Sequence, residues 1–229
     1  MKILHFKLLL FFLVFHFTGL KAQDYPLNEE VKIYYDKNGR STSIKDSTYF
    51  YRIVTFKNKN IPKGKIVDYY LSGEIAAEFY SSYLGFDLKG IDSIAQQNGP
   101  SYSYYKNGNI SKKRNFVNNL QVFEEILYYD SGEKEYTLNY EDDIIQGKQV
   151  GYYKSGKIEF TQNWIDGLKQ GQQIGYYESG ETKSIVNYVD DLAQGELIGY
   201  YESGEKEYTL NYEDDLLQGE EIGYYESGE

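Results

Sequence analysis

Carboxylates and tyrosines supply most of the side chains in this sequence that could do chemistry. Two near-identical clusters, Glu141-Asp142-Asp143 and Glu213-Asp214-Asp215, offer oxygen ligands of the kind calcium takes. The equivalent loop at Asp166-Gly167 has lost most of its acids, and neither an EF-hand spacing nor a glycine-aspartate nonapeptide occurs, so solvated turn residues are the better reading. Glycoside hydrolysis needs two carboxyl groups converging on one bond at ~5–10 Å. Here the acids recur at a fixed period and spread along the chain instead. None of the 229 residues is cysteine, and both histidines, His5 and His16, lie in an apolar N-terminal segment. Disulfides and thiolate chemistry are excluded outright, and loss of that segment would also remove the imidazole on which most acid-base catalysis and zinc binding depend. With no phosphate-binding glycine loop or dinucleotide fingerprint either, the expectation is a non-enzymatic protein with no catalytic, cofactor-binding or metal-binding residues.

Aromatic side chains are the stronger candidates. The chain holds 27 tyrosines, 12 phenylalanines and one tryptophan. Tyrosine suits half-exposed surfaces because its ring can bury while its hydroxyl stays hydrated. A binding face formed by Tyr153, Phe160, Trp164, Tyr177, Tyr201 and Tyr208 would accept a peptide strand or a sugar chain. The simpler reading is that these rings stack along a sheet and hold it together, and the two readings are compatible. Lys112, Lys113 and Arg114 form the one notable basic run, read as a solvated strand edge in preference to a nucleic-acid contact.

The elements that position these residues repeat. A tyrosine doublet separated by two residues from a glycine recurs as YYKNG, YYDSG, YYKSG and three copies of YYESG, with glycines at 108, 132, 156, 180, 204 and 228, each 24 residues after the last. Units 133–156 and 205–228 agree at 18 of 24 positions. Self-similarity at a fixed period is the signature of a repeat architecture. Upstream, Gly73 closes a further unit, an 11-residue insertion sits near 83–97, and an outlying YYDKNG ends at Gly39 with one extra residue.

Each unit reads as two strands. An alternating run such as 205–212 (EKEYTLNY) is followed by a polar loop (EDDLLQG), a second run (EEIGYYE) and Ser-Gly. Serine-glycine or asparagine-glycine between tyrosine-rich alternating runs predicts a tight hairpin, since glycine supplies positive φ freely. A two-residue loop would pair Glu202 with Glu205, Tyr201 with Lys206 and Gly199 with Tyr208. Tyr201, Tyr208, Leu210 and Tyr212 then share one face. So do Tyr153, Ile158, Phe160 and Trp164, with Phe160 lying over Gly151. The opposite face, carrying Tyr200, Glu202, Glu207, Thr209 and Asn211, is expected to be wetter. Within the polar loop, Asn60, Asn119, Asp143, Gly167, Asp191 and Asp215 occupy one unit position and predict a left-handed turn residue. Gly64, Gly99, Gly147, Gly171, Gly195 and Gly219 mark the return into the next strand, with Phe123 the exception.

At these residues the chain resembles the MORN-repeat family, specifically its bacterial variant with a YY-x-x-G core, which also occurs in YwqK-type antitoxins. The resemblance covers about residues 50–229. It implies an all-β fold, an elongated antiparallel sheet of tandem 24-residue β-hairpins used for binding or scaffolding, with no catalytic residues. The expected organisation is a signal peptide at 1–22, an irregular leader at 23–49, degenerate repeats with an insertion at 50–108 and regular repeats at 109–229. Residues 48–56 (TYFYRIVTF) would be one strand entering the array. The last unit stops at Glu229 directly after its turn, which predicts either a truncated chain or an edge that pairs with another protein.

The first 22 residues have the form of a secretory signal, with Lys2 and Lys7, an apolar run over 8–17, and small Ala22 before Gln23. The apolar run is shorter than the ~18–20 residues a membrane span needs. Cleavage after Ala22 would remove three lysines and no acids, taking the formal charge from −11 to −14. Residues 133–229 hold 7 basic against 22 acidic side chains, which disfavours nucleic acid and anionic membranes as partners. These features predict an exported protein of the periplasm, envelope or extracellular space that binds another protein along its ribbon. The alternative is a carbohydrate- or cell-wall-binding module. A third reading, a calcium-stabilised spacer, predicts that thermal stability rises with calcium.

Overall fold

The computed structural model describes residues 28–38, 42, 48–58, 61–62, 64–85 and 94–227. The proposed export segment, Gly39, Asn60, Gly228 and the middle of the insertion lie outside the described residues. Among the described residues, seventeen strands form one sheet. They are β1 (Glu30–Tyr35), β2 (Phe50–Asn58), β3 (Ile61–Pro62), β4 (Lys65–Tyr70), β5 (Ile75–Gly85), β6 (Ile94–Tyr104), β7 (Ile110–Val117), β8 (Leu120–Tyr128) and β9 (Lys134–Glu141). The array continues as β10 (Ile144–Ile145), β11 (Gly147–Tyr152), β12 (Ile158–Ile165), β13 (Leu168–Tyr176), β14 (Thr182–Val189), β15 (Leu192–Tyr200), β16 (Lys206–Glu213) and β17 (Leu216–Gly223). Every pairing is antiparallel and joins sequence neighbours, apart from the two-residue strands β3 and β10, which β2–β4 and β9–β11 bypass. The expected all-β array of tandem hairpins is the observed fold.

The 24-residue period is one hairpin. The insertion lengthens a hairpin instead of adding one: β5 and β6 have 11 residues each and stay paired out to Gly85 and Ile94. The leader also contributes a strand, since β1 pairs with β2 from Glu30↔Thr55 to Tyr35↔Phe50. Its residues join a compact core in which Ile33, Tyr35, Val54, Phe56, Ile66 and Phe79 pack together. Beside that core Arg52 Nε and Nη2 meet Asp68 Oδ1 and Oδ2 at 2.7 and 3.0 Å, with both residues buried.

Among the described residues beyond β6, each strand packs chiefly against its neighbours in the sheet. Directly paired residues share a face, so Thr137, Val150, Thr161, Ile174, Ile185, Ile198, Thr209 and Ile222 form one continuous row across eight strands. Thr137 and Thr209 are buried within it. The face expected to be wetter is therefore not uniformly so, because isoleucines on adjacent strands cover the threonines. On the other face Leu138, Gln162 and Val186 recur at 24-residue intervals and are 7%, 2% and 7% exposed. Each of the latter two sits opposite a bulge in the following strand, where three residues face one.

Of the two turns in each unit, the polar loop has the expected left-handed residue at Asn119, Asp143, Gly167, Asp191 and Asp215, and the glycine turn differs from expectation. The Ser-Gly turn is not a two-residue loop: Gly204 N–H donates to Tyr201 O, and Tyr201 N–H donates to Glu205 O. This is a three-residue loop with Gly204 at φ 92°, the type I turn closed by a left-handed residue. The register shifts accordingly. Tyr200 pairs with Lys206, not Tyr201, and Glu202 has no strand partner, while Gly199↔Tyr208 stands as expected. The tight two-residue loop lies at the other end of the hairpin, as in Glu213↔Leu216 across Asp214-Asp215. Both loop residues have positive φ, 51° and 64°, as a type I′ turn requires.

Candidate functional site

The ring face and the two turn edges are the places where the repeated side chains converge. At the Ser-Gly edge the second tyrosine of six doublets reaches across to the next unit. The hydroxyls of Tyr70, Tyr105, Tyr129, Tyr153, Tyr177 and Tyr201 donate to the carbonyl oxygens of Tyr104, Tyr128, Tyr152, Tyr176, Tyr200 and Tyr224, at 2.5–3.0 Å. The spacing is 23 residues in each regular unit, so one residue type in one place builds a six-rung ladder. Burial pushes the phenols of Tyr105, Tyr129, Tyr153 and Tyr177 above their ordinary pKa.

The ladder shows what three of the six expected binding-face residues do in this structure. Tyr153, Tyr177 and Tyr201 are half-buried and spend their hydroxyls on the neighbouring repeat. Phe160 and Tyr208 lie over Gly151 and Gly199, as the register predicts. A methyl group built on Gly151 would stand 2.1 Å from Phe160 Cε1, and one on Gly199 would stand 2.2 Å from Tyr208 Cε1. The rings thus occupy the space a side chain would need. Trp164 pairs with Gly147 on the same face, and its Nε1–H donates to Gln149 Oε1 at 2.9 Å. The basic run is not a solvated edge: Lys112, Lys113 and Arg114 are half-buried on β7, between β6 and β8. Lys113 Nζ lies 5.3 Å from the Tyr128 ring and the Arg114 guanidinium 5.4 Å from that of Phe116.

At the opposite edge the acidic loop residues are structural. Asp143, Asp191 and Asp215 accept the backbone N–H of Gln121, Lys169 and Ala193 in the preceding unit at 2.6–2.7 Å. Their own N–H groups donate back to the carbonyls of the same three residues at 2.9–3.2 Å. The neighbouring carboxylates Asp166, Asp190 and Asp214 accept from the amides of Gln146, Gln170 and Gln194. Among the described residues no group of three His, Cys, Asp or Glu side chains could hold a metal ion. The carboxylates are spread one turn at a time, an arrangement suited to stitching repeats and not to converging on one bond.

The sequence reading missed an aliphatic pair flanking three of these tight turns: Val117↔Leu120, Ile165↔Leu168 and Val189↔Leu192. Ile144 and Leu216 hold the same place opposite Glu141 and Glu213. All are exposed. Their positions one residue outside the polar loop carry the 24-residue period, and that is the signal by which they could have been found.

Four stretches of the chain, residues 97–118, 145–166, 169–190 and 193–214, match the MORN repeat variant. Each runs along two strands and through the three-residue glycine loop between them, and the starts are one or two periods apart. The unmatched interval at 121–142 contains Phe123, the non-glycine at the bulge. No curated protein sequence matches the chain significantly. Repeats of this type are generally modules that bind protein or lipid. The sheet, the period and the four matched stretches together make this chain a MORN-repeat protein.

Proposed function

We propose that the chain is an exported, non-enzymatic scaffold of a bacterial envelope, of the YwqK-like kind, which binds another protein along its repeat ribbon. The observation that carries this reading is the commitment of the repeated polar side chains to the fold. Tyrosine hydroxyls and aspartate carboxylates join one unit to the next, leaving a long, regular surface in place of a pocket that gathers reactive groups. Lipid is the poorer partner, because residues 133–229 carry 22 acids against 7 bases and anionic headgroups would be repelled. The N-terminal segment supports export by its form.

Cross-linking and affinity capture from an envelope fraction, with both protein and sugar analysed in the eluate, tests this. One stoichiometric protein is the expected outcome. Enriched glycan with no protein would replace this reading by a cell-wall-binding one, and recovery of the chain in the cytoplasmic fraction would overturn export.

A further inference from the structure

We propose that the tight-turn edge of the ribbon is a docking surface for a basic amphipathic α-helix. Strict alternation along β7, β12 and β14 puts Val117, Ile165 and Val189 on the face that carries Ile174 and Ile185, with partners Leu120, Leu168 and Leu192 beside them. These six aliphatic side chains are 38–51% exposed. Scattered single apolar residues need no explanation, but one at the same place in every unit makes a continuous stripe. Ile144 fills the gap between the first and second pairs.

The stripe is rimmed differently on its two sides. Outside it lie the loop acids, among them Asp142, Asp166 and Asp190. Inside runs an amide row of paired side chains, Asn163↔Gln170 and Asn187↔Gln194. Hydrophobic centre and acidic rim call for a partner that is apolar in the middle and basic at its flank. The spacing selects its secondary structure. Two strands per unit place successive aliphatic positions about 10 Å apart, and seven residues of α-helix advance ~10.5 Å. A helix with leucine-like residues in heptad register and lysine or arginine alongside would meet each turn with one turn-pair of its own. A second copy of this chain fits poorly, because it would bring acidic tips against acidic tips.

The inference rests on the protein-binding reading above and specifies its surface. The probe is a fluorescent 28-residue helical peptide of four heptads, with leucine at the first and fourth heptad positions and lysine on both flanks. A peptide of the same composition in scrambled order is the control. Anisotropy with the purified protein should show the ordered peptide binding at least tenfold more tightly than the scrambled one. The Leu168→Glu/Leu192→Glu double variant should lose at least tenfold, and Leu168→Ser/Leu192→Ser should lose affinity too. Attraction by charge alone predicts the reverse for the glutamate variant, which adds two negative charges. Equal binding of the two peptides, or unweakened binding to the glutamate variant, overturns the proposal. So does a homodimer in sedimentation that this variant dissociates. Envelope capture separates the two readings: equal recovery of one protein by parent and glutamate variant sinks the stripe and leaves the scaffold. Glycan alone from both sinks the scaffold.

Discussion

Phe123 measures how firmly the backbone dictates residue type in this unit. Gly99, Gly147, Gly171, Gly195 and Gly219 occupy its place in other units with φ between 72° and 97°, and Phe123 adopts φ 63° there despite its side chain. The left-handed conformation costs an ordinary L-residue ~1–2 kcal/mol, and the Phe123 side chain is 68% exposed, so it recovers little through burial. Phe123→Gly should therefore stabilise the protein by about 1 kcal/mol, read from urea melts. Gly199 makes the opposite case. Its φ is ordinary, but Tyr208 fills the space above it, so Gly199→Ala should cost ~1–3 kcal/mol by overpacking. A parent-like melt for Gly199→Ala would mean the ring swings away freely. The sequence showed both situations as glycine. Position in the unit, not residue type, separated the glycine required by its φ from the glycine required by its neighbour's ring.

Hairpins were legible from the alternating runs and from the punctuation between them, whereas the kind of turn was not. Serine-glycine suggested the tight turn because glycine is the usual carrier of positive φ. In the structure that glycine closes a three-residue loop, and aspartate pairs take both left-handed positions of the two-residue one. What tips aspartate into that conformation is a long-range partner, the backbone N–H of the preceding unit, which only the paired sheet reveals. The same holds for the tyrosine doublet, whose ring packing was anticipated and whose hydroxyl partner 23 residues away was not. Tyr153→Phe removes one rung and should cost ~0.5–1.5 kcal/mol, the usual net worth of such a bond. Loss of nothing would show that the rung is incidental to stability. Gly180→Val, at φ 101°, should cost more than ~1 kcal/mol because a β-branched residue is incompatible with that turn.

For the molecule as a whole, the phenols set an alkaline limit. The Tyr104 pKa is pushed up to about 12, first by burial and then by its hydroxyl donating to Glu78 Oε2 at 2.9 Å, and burial moves several ladder tyrosines the same way. The fold thus favours the neutral phenol over the ionised one. Its contribution is complete below the unfolded pKa near 10, and is lost as pH rises through about 12. Thermal melts should be steady from pH 8 to about 10 and fall steeply above it, and a Tyr104→Phe variant should begin its fall at the same pH but lose less. Adding calcium or a chelator should leave the melting curve unchanged, since the loop carboxylates are occupied by backbone and glutamine N–H groups; a rise with calcium would restore the spacer reading. The identical ladder rungs have one more consequence. Because every tyrosine rung between regular units uses the same donor, acceptor and sequence separation, excising one whole 24-residue period would rejoin the ladder with an equivalent rung, whereas removing 12 would leave mismatched ends. The chain is in this sense graduated like a ruler, and its reach can be reset in steps of ~10 Å by recombination between near-identical copies, with no new contact having to be invented.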